Sequence, residues 1–187
     1  MKEILITLII LICGCSLSDT SGPNTFSYTE DTYVVGIINK ETTKYLCEKT
    51  TIGAVVIVNS DGGLIREAHA SGLCIKDKSI KLVVVKALSA APLLIMLGAE
   101  QSVCLYKNSF IGWHTPYRSR AHRAYTLDSR KGILQIVEPL KTAGYSKNIT
   151  DRIAGRMILS SPYKITRQLA EDFKEELGHR FAGYCKY

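Results

Sequence analysis

Apolar residues gather along this chain in runs of two kinds. Thr32-Tyr33-Val34-Val35-Gly36-Ile37-Ile38 and Ala54-Val55-Val56-Ile57-Val58 are short, β-branched and nearly continuous, as strands buried on both faces of a parallel sheet are. Ile80 to Val85 repeats the pattern. Between the second and third runs, Ile65, Ala68, Gly72 and Ile75 recur at helical spacing, which predicts a helix from about Leu64 to Lys76. A shorter helix is expected over Lys40 to Glu48, with Thr43, Leu46 and Cys47 on one face. Pro92 falls in the first turn of the helix after the third strand, where its missing N–H costs little. Alternating strands and helices imply parallel βαβ units with right-handed crossovers.

Further on, Val103-Cys104-Leu105-Tyr106 and Phe110-Ile111-Gly112-Trp113 read as two short strands joined by a Lys107-Asn108-Ser109 turn. From Tyr125 the pattern turns helical, with a break at Gly144, an N-cap at Thr150 before Asp151, and a last helix capped by Thr166. No internal repeat interrupts this order. One α/β domain over residues 31–187 is the expected organisation.

The N-terminus differs from the rest. Lys2 precedes an apolar stretch, Ile4 to Ile12, too short for a bilayer core of roughly 30 Å but the length of a signal-peptide core. It ends in Ile12-Cys13-Gly14-Cys15, which resembles a bacterial lipobox and implies lipidation of Cys15 after removal of residues 1–14. An ordinary cleaved signal or an uncleaved anchor remains the alternative. Residues 15–30 open with small polar residues, a flexible tether. The expected address is therefore a bacterial cell membrane or outer membrane, with the domain exported to the periplasmic or exterior side and held by lipid.

Composition narrows the classes. With 46% apolar and 22% charged residues among 187, neither disorder nor a multispanning membrane protein fits. The net charge of +7 includes a cluster of Arg118, Arg120, Arg123, Arg130 and Lys131. No alternation of aromatic and basic residues accompanies it, so a solvated face is expected and no nucleic-acid partner. Cys47, Cys74, Cys104 and Cys185 form an even set that allows disulfides in an oxidising compartment, or else buried thiols. Neither cysteine nor histidine spacing suggests a metal site, and no cofactor is expected.

The chemistry-bearing residues sit at the ends of the strands. Val83-Val84-Val85-Lys86-Ala87-Leu88 runs into Ser89-Ala90-Ala91-Pro92, a strand ending in a small-residue turn with a serine where a helix begins. His114 follows Ser89 by 25 residues, at the end of Ile111-Gly112-Trp113. A serine hydroxyl needs a base within reach to become a nucleophile, and His114 is the candidate. Upstream, Asn59-Ser60-Asp61-Gly62-Gly63 closes the second strand; paired glycines there let backbone amides approach a ligand, so the loop, through the Gly63 amide, and the amide of Ala90 are candidates to hold an oxyanion.

Asn59-Ser60-Asp61-Gly62-Gly63, the Ser89 turn and Gly112-Trp113-His114 together resemble the Clp protease proteolytic subunit and its crotonase-like superfamily, over about Tyr33 to Gly178, and most closely the small exported bacterial relatives. The resemblance implies a crotonase-like α/β fold and a serine peptidase mechanism. Ser89 would be the nucleophile, His114 the base, and the Gly62-Gly63 loop part of the oxyanion hole. It further implies a peptide or protein substrate and allows a homo-oligomer. Two positions depart from the family pattern. Asp61 stands where the family has proline, putting negative charge near an anion-stabilising loop. The family's catalytic aspartate aligns with Ser161 or Pro162, before Tyr163-Lys164-Ile165-Thr166, leaving Asp151 as the nearest substitute acid. The expectation is a membrane-anchored serine hydrolase; the alternative is an inactive crotonase-like lipoprotein that binds partners through the same cleft.

Overall fold

The computed structural model describes residues 28–29, 32–100, 103–120, 123–126, 129–161 and 164–185. Cys15, the expected signal peptide, most of the tether, His122, Pro162, Tyr163 and the side chains of Arg118, Arg120 and Arg123 lie outside the described residues.

Strands β1 (Tyr28–Thr29) and β2 (Thr32–Ile38) pair antiparallel; β2 then leads to α1 (Lys40–Lys44) and a π-helical turn over Tyr45–Lys49. Asn39 caps α1 by accepting a hydrogen bond from the Thr42 amide at 2.9 Å. The expected helix to Glu48 is thus an α-turn widened into a π-turn, and its buried residues are Thr42 and Leu46. Next come β3 (Val55–Gly63), α2 (Ile65–Asp77), β4 (Lys81–Leu88), α3 (Ala91–Gly98) and β5 (Val103–Trp113). Strands β2 to β5 are mutually parallel and lie in chain order, as βαβ units demand.

Burial of the strands is one-sided rather than two-sided. Val56 and Val58 of β3, and Leu82 and Val84 of β4, are fully buried, while Val55 and Ile57 are only half-covered. The buried face packs on α3, in which every residue from Ala91 to Gly98 is buried; α3 meets β3, β4, β5, α2 and α4. Burial of Leu93, Leu94, Ile95 and Met96 contributes about 1.5–3 kcal/mol each, an upper estimate.

Two segments depart from the sequence pattern. The polar Asn59-Ser60-Asp61-Gly62-Gly63 continues β3 instead of ending it, because Gly62 and Gly63 pair with Ile37 and Ile38 of β2. Likewise β5 is a single strand. Its pairing with β4 jumps from Val84–Leu105 to Lys86–Phe110, so Lys107-Asn108-Ser109 is a bulge and not a turn. Ser109 holds that bulge: its buried hydroxyl donates to the Val84 carbonyl at 2.5 Å.

Past β5 the chain forms a hairpin of β6 (Tyr117–Arg120) and β7 (Arg123–Thr126), where helix was expected from Tyr125. Helix α4 (Ser129–Thr142) starts after it, and α5 (Lys147–Ile158) is capped by Ser146, which accepts from the Ile149 amide. Thr150, expected as that cap, is buried inside α5 with its hydroxyl on the Ser146 and Lys147 carbonyls. Thr166 opens β8 (Thr166–Gln168), antiparallel to β5, rather than capping a helix; α6 (Ala170–Leu177) begins after Leu169. A final strand, β9 (Phe181–Tyr184), pairs parallel with the start of β5. Both cysteine pairs are closed, Cys47 to Cys74 and Cys104 to Cys185, the second fastening the end of β9 to β5.

Candidate active site

The carboxyl ends of β3, β4 and β5 lie side by side, and there an open α/β sheet places ligands. Gly62 and Gly63 end β3, Ser89 follows β4, and His114 follows β5. A groove of about 580 Å³ opens over them, lined by Gly63, Ser89 and His114, with Leu64, Ile65 and Tyr117 among its apolar walls.

Ser89 sits in a left-handed conformation, φ 60°, uncommon for a residue with a side chain. What holds it there is local: its amide donates to the Gly112 carbonyl of β5 at 2.9 Å, and α3 begins two residues on. The turn brings the half-buried serine to the N-terminal end of a buried helix, where unpaired N–H groups and the helix dipole favour negative charge.

Gly62 is pressed against this turn. A Cβ there would lie 2.7 Å from the Leu88 carbonyl and 2.8 Å from Ser89 Oγ, at a backbone φ of 105° that side chains avoid. Its amide donates to the hydroxyl of buried Ser60 at 3.0 Å, so Gly62 gives the site room and shape while its N–H is engaged. Gly63 differs. The Leu64 amide donates to the Ile38 carbonyl at 2.9 Å, so Ile38 turns its backbone groups toward β3. Its partner Gly63 has a backbone φ of 151°, and a Cβ there would lie 2.0 Å from the Ile38 carbonyl oxygen, so the close approach of β2 and β3 requires glycine. The β3–β4 pairing ends at Ser60–Ala87, short of the glycine pair.

His114 is half-buried, and Nδ1 of its ring lies 2.9 Å from the Thr115 carbonyl oxygen. The strand end beneath it is anchored by buried Trp113, whose indole N–H donates to Gln168 Oε1 of β8 at 3.1 Å. Thr115 is buried too, its hydroxyl within 2.6 Å of the Met157 carbonyl and 3.0 Å of the Ser160 carbonyl.

Among the described residues, Asp151, the candidate acid, is not part of the groove lining. It lies on α5 with its carboxylate on Lys147 Nζ at 2.5 Å, more than half exposed. Of the two aligned positions, Ser161 bridges to Lys164 and Pro162 lies outside the described residues. The groove's own carboxylates are Asp61 and Glu67. Asp61 forms an ion pair with Lys86 of β4 at 3.0 Å, which answers its charge locally; Glu67 lies 3.5 Å from Arg66 Nε. Sequence reasoning did not foresee the contacts of Ser60, Lys86 and Thr115. The first two had a signal, a hydroxyl two residues before Gly62 and a lysine on the neighbouring strand, whereas the Thr115 carbonyl had none.

No family model matches the chain, and no curated protein matches it. Among solved structures, the fold is similar to the crystal structure of the ClpP protease catalytic domain from Plasmodium falciparum, with a TM-score of 0.57 at 15% identity. The likeness covers 84% of this chain and 86% of that one. At this identity it shows the fold alone: an α/β domain with a ClpP-like fold.

Proposed function

We propose that the chain is a serine hydrolase of the peptidase type, exported and held at a membrane by lipid on Cys15. The reading rests on one observation above all: Ser89, held at φ 60° at the head of α3, shares a groove with His114 and Gly63. A left-handed serine costs about 1–3 kcal/mol, and such strain collects where geometry serves chemistry.

In this mechanism His114 takes the Ser89 proton through Nε2 as Oγ attacks the carbonyl carbon of a peptide or ester. Negative charge then moves onto the carbonyl oxygen, where the Gly63 and Ala90 amides receive it and the dipole of α3 supports it. Collapse of the adduct expels the amine or alcohol with the proton that His114 carried. Water, deprotonated by the same nitrogen, then releases the acyl group and restores Ser89. The apolar walls Leu64, Ile65 and Tyr117 suit an apolar side chain of a peptide substrate.

Two disulfides support export, since such bonds persist in oxidising compartments. The bacterial lipoprotein address rests on the Cys15 motif, and a homo-oligomer rests on the family resemblance. Labelling with a fluorophosphonate tests the enzyme reading: the wild-type chain should label, Ser89→Ala and His114→Ala should not, and the double variant should be no worse than either. A folded wild-type chain that stays unlabelled from pH 6 to 9 would assign the groove to binding instead. Cys15→Ala tests the anchor, because unchanged mass and membrane fractionation would remove it.

A further inference from the structure

We infer that Thr115 is the positioning residue for the base: its backbone carbonyl fixes the His114 ring in the productive tautomer, in the place where a triad would use a carboxylate. The inference deepens the hydrolase reading and rests on it for its catalytic meaning.

A carbonyl oxygen can only accept a hydrogen bond. The 2.9 Å contact with Nδ1 therefore requires Nδ1 to carry the hydrogen of the neutral ring. Neutral imidazole has one N–H, so Nε2 keeps its lone pair, the state a general base needs. In a Ser-His-Asp triad the carboxylate sets this tautomer and also stabilises the imidazolium; loss of the tautomer alone slows the reaction by about 10⁴. A peptide carbonyl supplies the first service and, being uncharged, little of the second.

The carbonyl belongs to the residue next to His114, so its position needs a brace. Thr115 provides one through its buried hydroxyl, which lies at 2.6 Å and 3.0 Å from the Met157 and Ser160 carbonyls at the end of α5. Trp113, on the other side of the histidine, is tied to Gln168 of β8. The base is held between two buried anchors, one on each neighbouring residue. The Asp151 carboxylate is paired with Lys147 on α5.

The test is long-range proton–nitrogen NMR on the full chain labelled with 15N-histidine, at a pH where His114 is neutral, alongside turnover of a p-nitrophenyl ester. The expected wild-type result is a His114 ring protonated at Nδ1. Thr115→Val, which keeps the carbonyl but removes its brace, should mix the tautomers and lower kcat about tenfold with KM unchanged, the effect of roughly one hydrogen bond. Thr115→Ser should restore both. A wild-type ring protonated at Nε2 would overturn the inference, as would a folded Thr115→Val chain with wild-type tautomer and kcat. If Thr115→Val fails to fold, the wild-type and Thr115→Ser spectra still decide. Failure of the hydrolase reading looks different: an unreactive Ser89 in a chain whose His114 nevertheless carries its proton on Nδ1.

Discussion

Replacing Ser89 by glycine and by alanine separates the cost of the site's geometry from the loss of its hydroxyl. Both variants remove the hydroxyl proposed as nucleophile, and on that reading both should abolish fluorophosphonate labelling. They differ in backbone freedom. At φ 60° a residue with a Cβ bears about 1–2 kcal/mol of left-handed strain, which alanine keeps and glycine releases. Glycine in turn loses about 0.5–1 kcal/mol more conformational entropy on folding. On mid-range values the difference leaves Ser89→Gly more stable than Ser89→Ala by roughly 0.75 kcal/mol, within bounds of about 0–1.5, or about 1.5–3 °C in Tm at mid-range for a domain of this size. Urea unfolding followed by circular dichroism would report the free-energy gap, and a thermal scan the temperature gap. An alanine variant more stable than the glycine variant would refute the argument, since residue 89 would then bear no net left-handed strain.

Asp151→Asn should leave labelling unchanged and move stability by less than about 0.5 kcal/mol, because an exposed pair with Lys147 contributes little; a large loss of labelling would return Asp151 to the reaction. By chain entropy the Cys104–Cys185 bond, spanning 81 residues, contributes about 4.5 kcal/mol and the Cys47–Cys74 bond, spanning 27, about 3.5. Chemical denaturation should therefore find the Cys104→Ser/Cys185→Ser variant less stable than Cys47→Ser/Cys74→Ser by about 1 kcal/mol. Burial of the Tyr145 phenol, which donates to the Met96 carbonyl, pushes its pKa well above the usual 10. Above about pH 10 the unfolded chain releases that proton while the folded chain keeps it, so stability should fall by up to about 1.4 kcal/mol per pH unit. Urea midpoints from pH 9 to 11 should show a shallower fall in Tyr145→Phe; an equal slope would exclude Tyr145 as its source.

Much of this fold was legible because burial repeats with a period. The β-branched runs at Val34, Val55 and Val83 marked parallel strands, and the Ile65, Ala68, Gly72, Ile75 spacing marked α2 within a residue at each end. Polar residues inside an element carry the composition of its end, and there the sequence pattern and the fold part. Lys107-Asn108-Ser109 has the composition of a turn, yet the strand continues because Ser109 bonds to the Val84 carbonyl of its neighbour, a contact set by tertiary register. The same holds for Asn59 to Gly63.

The site divides along a different line. Ser89, His114 and Gly63, singled out in the sequence by side-chain type or by the lack of a side chain, line one groove in the fold. What surrounds them depends on register and backbone. Lys86 meets Asp61 only because β3 and β4 shift their pairing after Val58, so the charge that looked adverse to the oxyanion loop is answered from the adjacent strand. The left-handed turn at Ser89 has no signature either, since serine carries no preference for it; the Gly112 carbonyl and the start of α3 impose it. The partner of His114 is a backbone carbonyl, a group that every residue possesses. A search for a missing acid therefore passes over Thr115, and only the folded chain, with the Thr115 hydroxyl docked on the end of α5, distinguishes that carbonyl from all the others.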